Sequence, residues 1–370
     1  MGSKSKISII GTRGIPNKHG GFEQFAQIAS DGLSEFFNVT VYNSSQHPYK
    51  EKKFNNVKIV HKWCDEKFFG PLAHFIYDYL CLKDSIKNRN EIIIALGYGT
   101  LALSLMFVNL KKSQIIVNMD GIEWKRNDIS FFKKYLLILF EKITVKKANF
   151  LISDGIPIKD YYKNKFNKDS FYLPYGTEIF KNPNQNYLKN YELIPKDYLL
   201  MIARFEPSNN IKKVIEGYML SSQKNKLIIV GNYDNKYGKS LKKKYKSKNI
   251  IFLGGVYDNN TLNNLRYFSK LYLHGHSVGG TPPSLIEAMG CNCLIAAHDN
   301  IFNRHILEEN SFYFKSIDDI KNIIDNININ NNKHSMYTDN NIKKIKKTYL
   351  WNSIIESLVN YLEKIKENKL

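Results

Sequence analysis

The sequence predicts an α/β protein built as two Rossmann-like domains facing a cleft. Three observations carry that expectation. The chain has 370 residues, more than one core usually serves. Apolar β-type runs alternate with helical stretches in two separate series, and a polar break divides them. In the first series, strands are expected at Lys6–Ile10, Asn38–Tyr42, Val57–His61, Glu91–Leu96, Ser113–Met119, Ala148–Ser153 and Ser170–Leu173. Helices are expected at Phe22–Phe36, Ala73–Lys87, Leu101–Asn109 and Ser130–Lys147. Pro174-Tyr175-Gly176-Thr177 breaks the pattern, and the polar stretch Lys181–Asn190 reads as a linker. The second series has strands at Tyr198–Ala203, Lys226–Val230, Ile250–Leu253, Leu271–His274 and Cys293–Ala296. Its helices are Pro207–Leu220, Thr261–Tyr267 and Pro283–Met289. Beyond Asp318 an Asn-, Ile- and Lys-rich region with the polar tract 326–332 reads as helix and loop, followed by an amphipathic helix Leu350–Glu367.

The charge balance is unusual: 54 Lys and Arg against 34 Asp and Glu, a net +20. That excess implies an anionic partner (nucleic acid, an acidic lipid surface or phosphorylated small molecules) or a Lys- and Asn-rich bias alone. Four cysteines, without C-x-x-C or finger-spaced histidines, argue against zinc and for a reduced, cytoplasmic protein. No apolar run approaches ~18 residues, so no membrane span is expected.

Two glycine-rich turns carry the chemistry. The first strand runs into Gly11-Thr-Arg-Gly14-Ile-Pro-Asn-Lys-His19-Gly20-Gly21-Phe22-Glu23. A glycine pair before a helix lets backbone N–H groups approach phosphate oxygens; equally, the loop could need positive φ twice. There is no G-x-G-x-x-G, and the second strand ends at Asn43 where a dinucleotide binder would carry an acid, so NAD is not expected. In the second turn, His274–Met289, a strand gives way to Gly279-Gly280-Thr281-Pro282-Pro283 and a helix begins near Ser284. Glu287 is expected in its first turn, where a carboxylate can accept from a ribose diol while the preceding N–H groups meet diphosphate; it could also serve only the helix dipole. Arg204, past the first strand of the second series, could neutralise a leaving diphosphate or form a surface ion pair.

These stretches resemble the retaining, family 4-type glycosyltransferases of the GT-B fold, and more closely the bacterial capsule and O-antigen rhamnosyltransferase subgroup. The matching segments are Gly11–Pro16 with His19–Glu23, Asn118–Arg126, Pro174–Glu178, Ala203–Asn210 and His274–Met289. The resemblance implies an acceptor domain, 1–180, with a C-terminal helix (350–370) packing back on it, and a donor domain, 191–345. It makes Glu287 the second glutamate of an E-x7-E signature. The first would fall at Gly279, so the carboxylate near the donor sugar is absent. Donor contacts are implied for Gly20, Gly21, Arg204, Asn210, Gly280, Thr281, Pro282, Ser284, Leu285 and Glu287. The family's lysine partner of Arg204 is replaced around Asn209-Asn210. Asp120 would position or deprotonate the acceptor hydroxyl, beside an acceptor region of Phe22, Glu23 and Glu123; it could equally be an N-cap or turn residue before Gly121. No D-x-D occurs, so no metal or other cofactor is expected, and Arg204, helix termini and amides would stabilise the leaving group.

The reaction implied is transfer of a sugar, with L-rhamnose from dTDP-L-rhamnose the best single guess, to a lipid-linked saccharide acceptor. The helix Ser130–Lys147, with Phe131, Phe132, Leu136, Leu139 and Phe140 among Lys133, Lys134, Lys142, Lys146 and Lys147, either meets an anionic membrane at the inner face of the plasma membrane or packs into the core with a solvated basic face. The alternatives are a nucleotide-sugar epimerase of the same fold and a non-catalytic nucleic-acid-binding protein. The second lacks any recognised nucleic-acid motif, so nucleic acid is not an expected partner.

Overall fold

A computed structural model describes residues 4–18, 20–110, 112–126, 129–223, 225–327 and 332–367. His19 and most of the polar tract 326–332 lie outside the described residues. The chain divides into two compact units. The first holds residues 1–125, 129–175 and 351–370, and the second residues 126–128 and 176–350.

The strands of the first unit are β1 (Lys6–Ile10), β2 (Asn38–Ser44), β3 (Lys53–Phe54), β4 (Val57–Lys62), β5 (Ile92–Leu96), β6 (Gln114–Asn118), β7 (Phe150–Ser153) and β8 (Phe171–Tyr172). They form one sheet in the order β3-β4-β2-β1-β5-β6-β7-β8, parallel except for β3 against β4. β1 and β5 form its centre; Ile7, Ile9, Ile10 and all five residues of β5 are buried, as continuous apolar runs in a sheet covered on both faces require. The crossovers from β4 to β5, β5 to β6 and β6 to β7 run opposite to that from β1 to β2. With the usual right hand, their helices cover the face opposite the helix Gly21–Leu33. The C-terminal helix Trp351–Lys366 belongs to this unit. Trp351 lies against Phe25, and Tyr361 stacks on Phe171 at 4.0 Å between ring centroids.

The second unit contains β9 (Tyr198–Ile202), β10 (Lys226–Val230), β11 (Ile250–Gly254), β12 (Leu271–His274), β13 (Ile295–His298) and β14 (Phe312–Phe314). The sheet is parallel throughout, in the order β11-β10-β9-β12-β13-β14. Its core joins Leu199, Met201, Ile229 and Leu273 to Ile215 and Ile320 of the covering helices.

Strand order reverses at β1/β5 in one sheet and at β9/β12 in the other. Those reversals open crevices at the carboxyl ends of the strands, which positions the loops 11–18, 97–100, 203–210 and 275–282 as the ligand-facing segments of their own units. Among the described residues no helix is long and apolar enough to cross a membrane.

Candidate active site

In the first unit the β1–helix loop is locked by its neighbours. Gly11 has φ +78°, and a Cβ there would run into the backbone of Leu96. Gly14 has φ +130° and sits against the Asn43 side chain. Buried Asn43 accepts from Ile15 N–H (3.0 Å) and donates to Ile15 O (2.7 Å), so the residue at the end of β2 holds the loop. Glu23 is also buried, and its Oε1 accepts from Arg13 N–H at 2.9 Å and from the Thr12 hydroxyl at 3.3 Å. Gly20 caps the helix Gly21–Leu33 in an extended conformation (φ −172°) without a side-chain cap, so the first-turn amides are not closed off by a capping side chain. The loop takes positive φ twice, at Gly11 and Gly14, and not at Gly20 or Gly21, so that alternative describes its first half and not the glycine pair at the helix start.

A cavity of about 150 Å³ opens at this edge, lined by Phe22, Glu23, Arg13, His74, Thr100 and Asp78 among others. Asp78, unremarked in the sequence, is buried and accepts from the Thr100 hydroxyl at 2.5 Å. Burial raises its pKa to about 7, against which the Thr100 bond pulls down. A carboxyl poised near neutrality at a cavity wall can hold or release a proton for a bound hydroxyl. Asp120 follows β6 with φ +52°, its N–H donating to Asn118 Oδ1 at 3.0 Å. The buried Tyr175 hydroxyl is held far above its ordinary pKa, first by desolvation and then by the charges of Asp120, Asp154 and Glu23. Glu123 opens the short helix Glu123–Lys125 and adds, with Asp120, to the field on Tyr98.

Among the described residues, the group of His, Cys, Asp and Glu side chains close enough to hold a cation is Cys64, Glu66 and His74. Glu66 is committed there to His74 (3.3 Å) and to the Arg13 guanidinium (3.7 Å).

In the second unit the loop after β12 is pinned from both sides. A Cβ on Gly275 would strike the Asn209 carbonyl oxygen. Ser277 N–H (3.1 Å) and its hydroxyl (2.7 Å) both donate to Ser208 O, while Asn300 and Asn303 each donate to His276 O at 3.0 Å. Gly279 has φ +144°, and no heavy atom stands within 4 Å of where its Cβ would be. Gly280, Thr281 and Pro282 are buried in the turn, and Ser284 is half-buried at the start of the helix Pro283–Gly290.

Arg204 stands 69% exposed after β9, its Nη1 3.4 Å from Glu206 Oε1. The other oxygen of Glu206 lies 3.3 Å from Nη1 of Arg126. One carboxylate therefore joins two guanidinium groups. Both arginines add to burial in pushing the His276 pKa down to about 3, keeping that ring neutral. His276 stacks on buried His274 at 4.3 Å.

Three of the residues implied as donor contacts have partners within their own unit. Glu287 lies one turn into its helix, and its carboxylate is paired with the buried Arg266, so its first task is to compensate a buried charge. Asn210 donates to Gly275 O at 2.8 Å, which makes it a brace of the loop. The Leu285 side chain is fully buried and its N–H donates to Pro282 O at 3.0 Å, so it packs the core. Arg126, Arg266 and Asp78 were given no role from sequence; the Lys125-Arg126 pair after the strand Gln114–Asn118 was the one available signal.

Two units, each built on a mainly parallel sheet with glycine loops at its switch point, form an α/β fold of the two-domain GT-B type. Residues 187–344 match the family of glycosyl transferases group 1, and residues 4–178 match a domain of unknown function, DUF1972. An uncharacterized glycosyltransferase of Methanocaldococcus jannaschii is 25% identical, over 97% of this chain and 99% of its own. Among solved structures, sucrose-phosphate synthase from Thermosynechococcus elongatus superposes with a TM-score of 0.83 at 14% identity, covering 99% of this chain and 100% of that one. The Anabaena protein HepE in complex with UDP and glucose gives 0.77 at 13% identity, over 98% and 100%. The protein is a glycosyltransferase of the GT-B fold.

Proposed function

We propose that the protein transfers a sugar from a nucleoside-diphosphate donor, held by the second unit, to a lipid-linked envelope-glycan precursor, with retention at the anomeric carbon. The observation that carries this reading is the pair Arg126 and Arg204 on one Glu206 carboxylate, after the central strand β9 of the second sheet. A diphosphate carries more charge than a carboxylate and matches two guanidinium forks, so it can take both arginines from Glu206. Arg126 then supplies the second cation that the resemblance leads one to seek as lysine near Asn209-Asn210. As the sugar leaves, charge grows on the diphosphate, and fixed cations stabilise that state without a metal. The complexes of HepE with UDP and with UDP-glucose support a nucleotide-sugar donor here.

The open space at Gly279, where relatives carry a carboxylate, suits a donor with fewer hydroxyls to be met, and dTDP-L-rhamnose is the donor we favour. Glu287 reaches the ribose from its Arg266-fixed position. The cavity at Phe22 and Glu23 takes the acceptor, whose hydroxyl Asp120 orients or deprotonates. Such an acceptor places the enzyme at the inner face of the plasma membrane.

The test is a panel of nucleotide sugars with nucleoside diphosphate release as readout, with and without a lipid-linked acceptor. Acceptor-dependent release from dTDP-L-rhamnose is expected. Release from no donor would refute the reading, and acceptor-free interconversion of nucleotide sugars would make the protein an epimerase.

A further inference from the structure

Two rows of exposed apolar side chains stand on neighbouring helices of the first unit. On the helix Phe131–Lys147, Phe131, Tyr135 and Leu139 recur every fourth residue and share one side, with exposures of 87, 63 and 42%. Leading into and along the helix Leu72–Lys87, Phe68, Leu72 and Ile76 repeat the spacing at 81, 64 and 39%. The two helices meet through Phe75 and Phe140, whose ring centroids lie 5.9 Å apart. Exposure falls along both rows, from Phe68 and Phe131, the most solvated tips, to Ile76 and Leu139 beside the Phe75–Phe140 contact. Solvated apolar surface concentrated in this way marks an interaction face.

Charge selects the partner. Lys133, Lys142, Lys146 and Lys147 are exposed on the same helix. Its single acid, Glu141, is fully buried and bound by Lys165, Tyr161 and Tyr162. Lys67 stands exposed beside Phe68, while neighbouring Glu66 is paired with Arg13 and His74. A second copy of the chain, docked face to face, would bring lysine against lysine. We propose that these two apolar rows insert into the headgroup layer of an anionic bilayer, the aromatic tips entering the acyl boundary and the lysines meeting lipid phosphates. The inference gives the membrane location proposed above a definite surface and rests on that location. Neither nucleotide binding nor sugar transfer is needed for it.

The experiment is flotation of the full chain with vesicles of phosphatidylcholine alone or mixed with phosphatidylglycerol. Binding is expected to the mixed vesicles and to fall as salt rises. Phe131→Ser with Leu72→Ser should abolish it, and Lys133→Ser with Lys142→Ser should weaken it about 25-fold, roughly fivefold per lysine. Both variants should retain the circular dichroism and the dTDP affinity of the parent, so a failed donor reading and a failed membrane reading are separable. Equal binding to neutral vesicles would overturn the proposal. So would apolar-tip variants that float as the parent does, or a dimer in solution that dissociates on Phe131→Ser.

Discussion

Asp78 links burial to pH at the scale of one side chain. Unfolded, it ionises near its ordinary 3.8; folded, it keeps its proton to about 7. Between those values the folded state binds more protons than the unfolded one, so stability contributed at this site falls as pH rises through the window and levels off above it. Asp78→Asn should flatten that fall, measured by thermal unfolding from pH 4 to pH 8; an unchanged slope would show that Asp78 is ionised in the fold. Asp78 was not legible because it lies inside an apolar helical run, where its burial depends on strands distant in sequence. Asn43 was legible as the absence of a dinucleotide-binding acid, but its bonds to Ile15 depend on how β1 and β2 pair. Glu287 was legible as a carboxylate of the helix Pro283–Gly290, but its pairing with the buried Arg266 was not, since nothing in spacing reveals that contact.

At the scale of elements, the β12 loop was readable from its glycines and prolines, and the strands from their apolar runs. The short strand Phe312–Phe314 and the helices Lys236–Lys244 and Ile317–Asn326 were not singled out, the first for its length and the others for their polar composition. The loop's rigidity came only from structure, because its braces Ser208, Asn210, Asn300 and Asn303 arrive from two other segments. Gly275 is where that packing is tightest. Gly275→Ala should displace the loop from the Asn209 carbonyl, lower stability by about 1–3 kcal/mol and weaken dTDP binding at least ~tenfold. Calorimetry and thermal unfolding read the two effects, and a variant unchanged in both would mean the loop moves freely.

For the whole molecule, two alternating series and a polar break were enough to anticipate two Rossmann-like sheets, because hydrophobic periodicity survives sequence divergence. The chain order hid something else: Arg126, from the segment between β6 and β7, groups with the second unit and joins Arg204 on Glu206. The central claim is that these two guanidinium groups, without a metal, hold the donor diphosphate. Its most direct test is calorimetric titration of dTDP in EDTA into the parent, Arg126→Ala, Arg204→Ala and the double variant. Binding should persist in EDTA and each single variant should lose affinity. The double variant should fall about 10²-fold or more, since charge-assisted contacts contribute roughly 1.5–3 kcal/mol each. Binding that disappears in EDTA, or a double variant that binds dTDP as the parent does, would contradict the account.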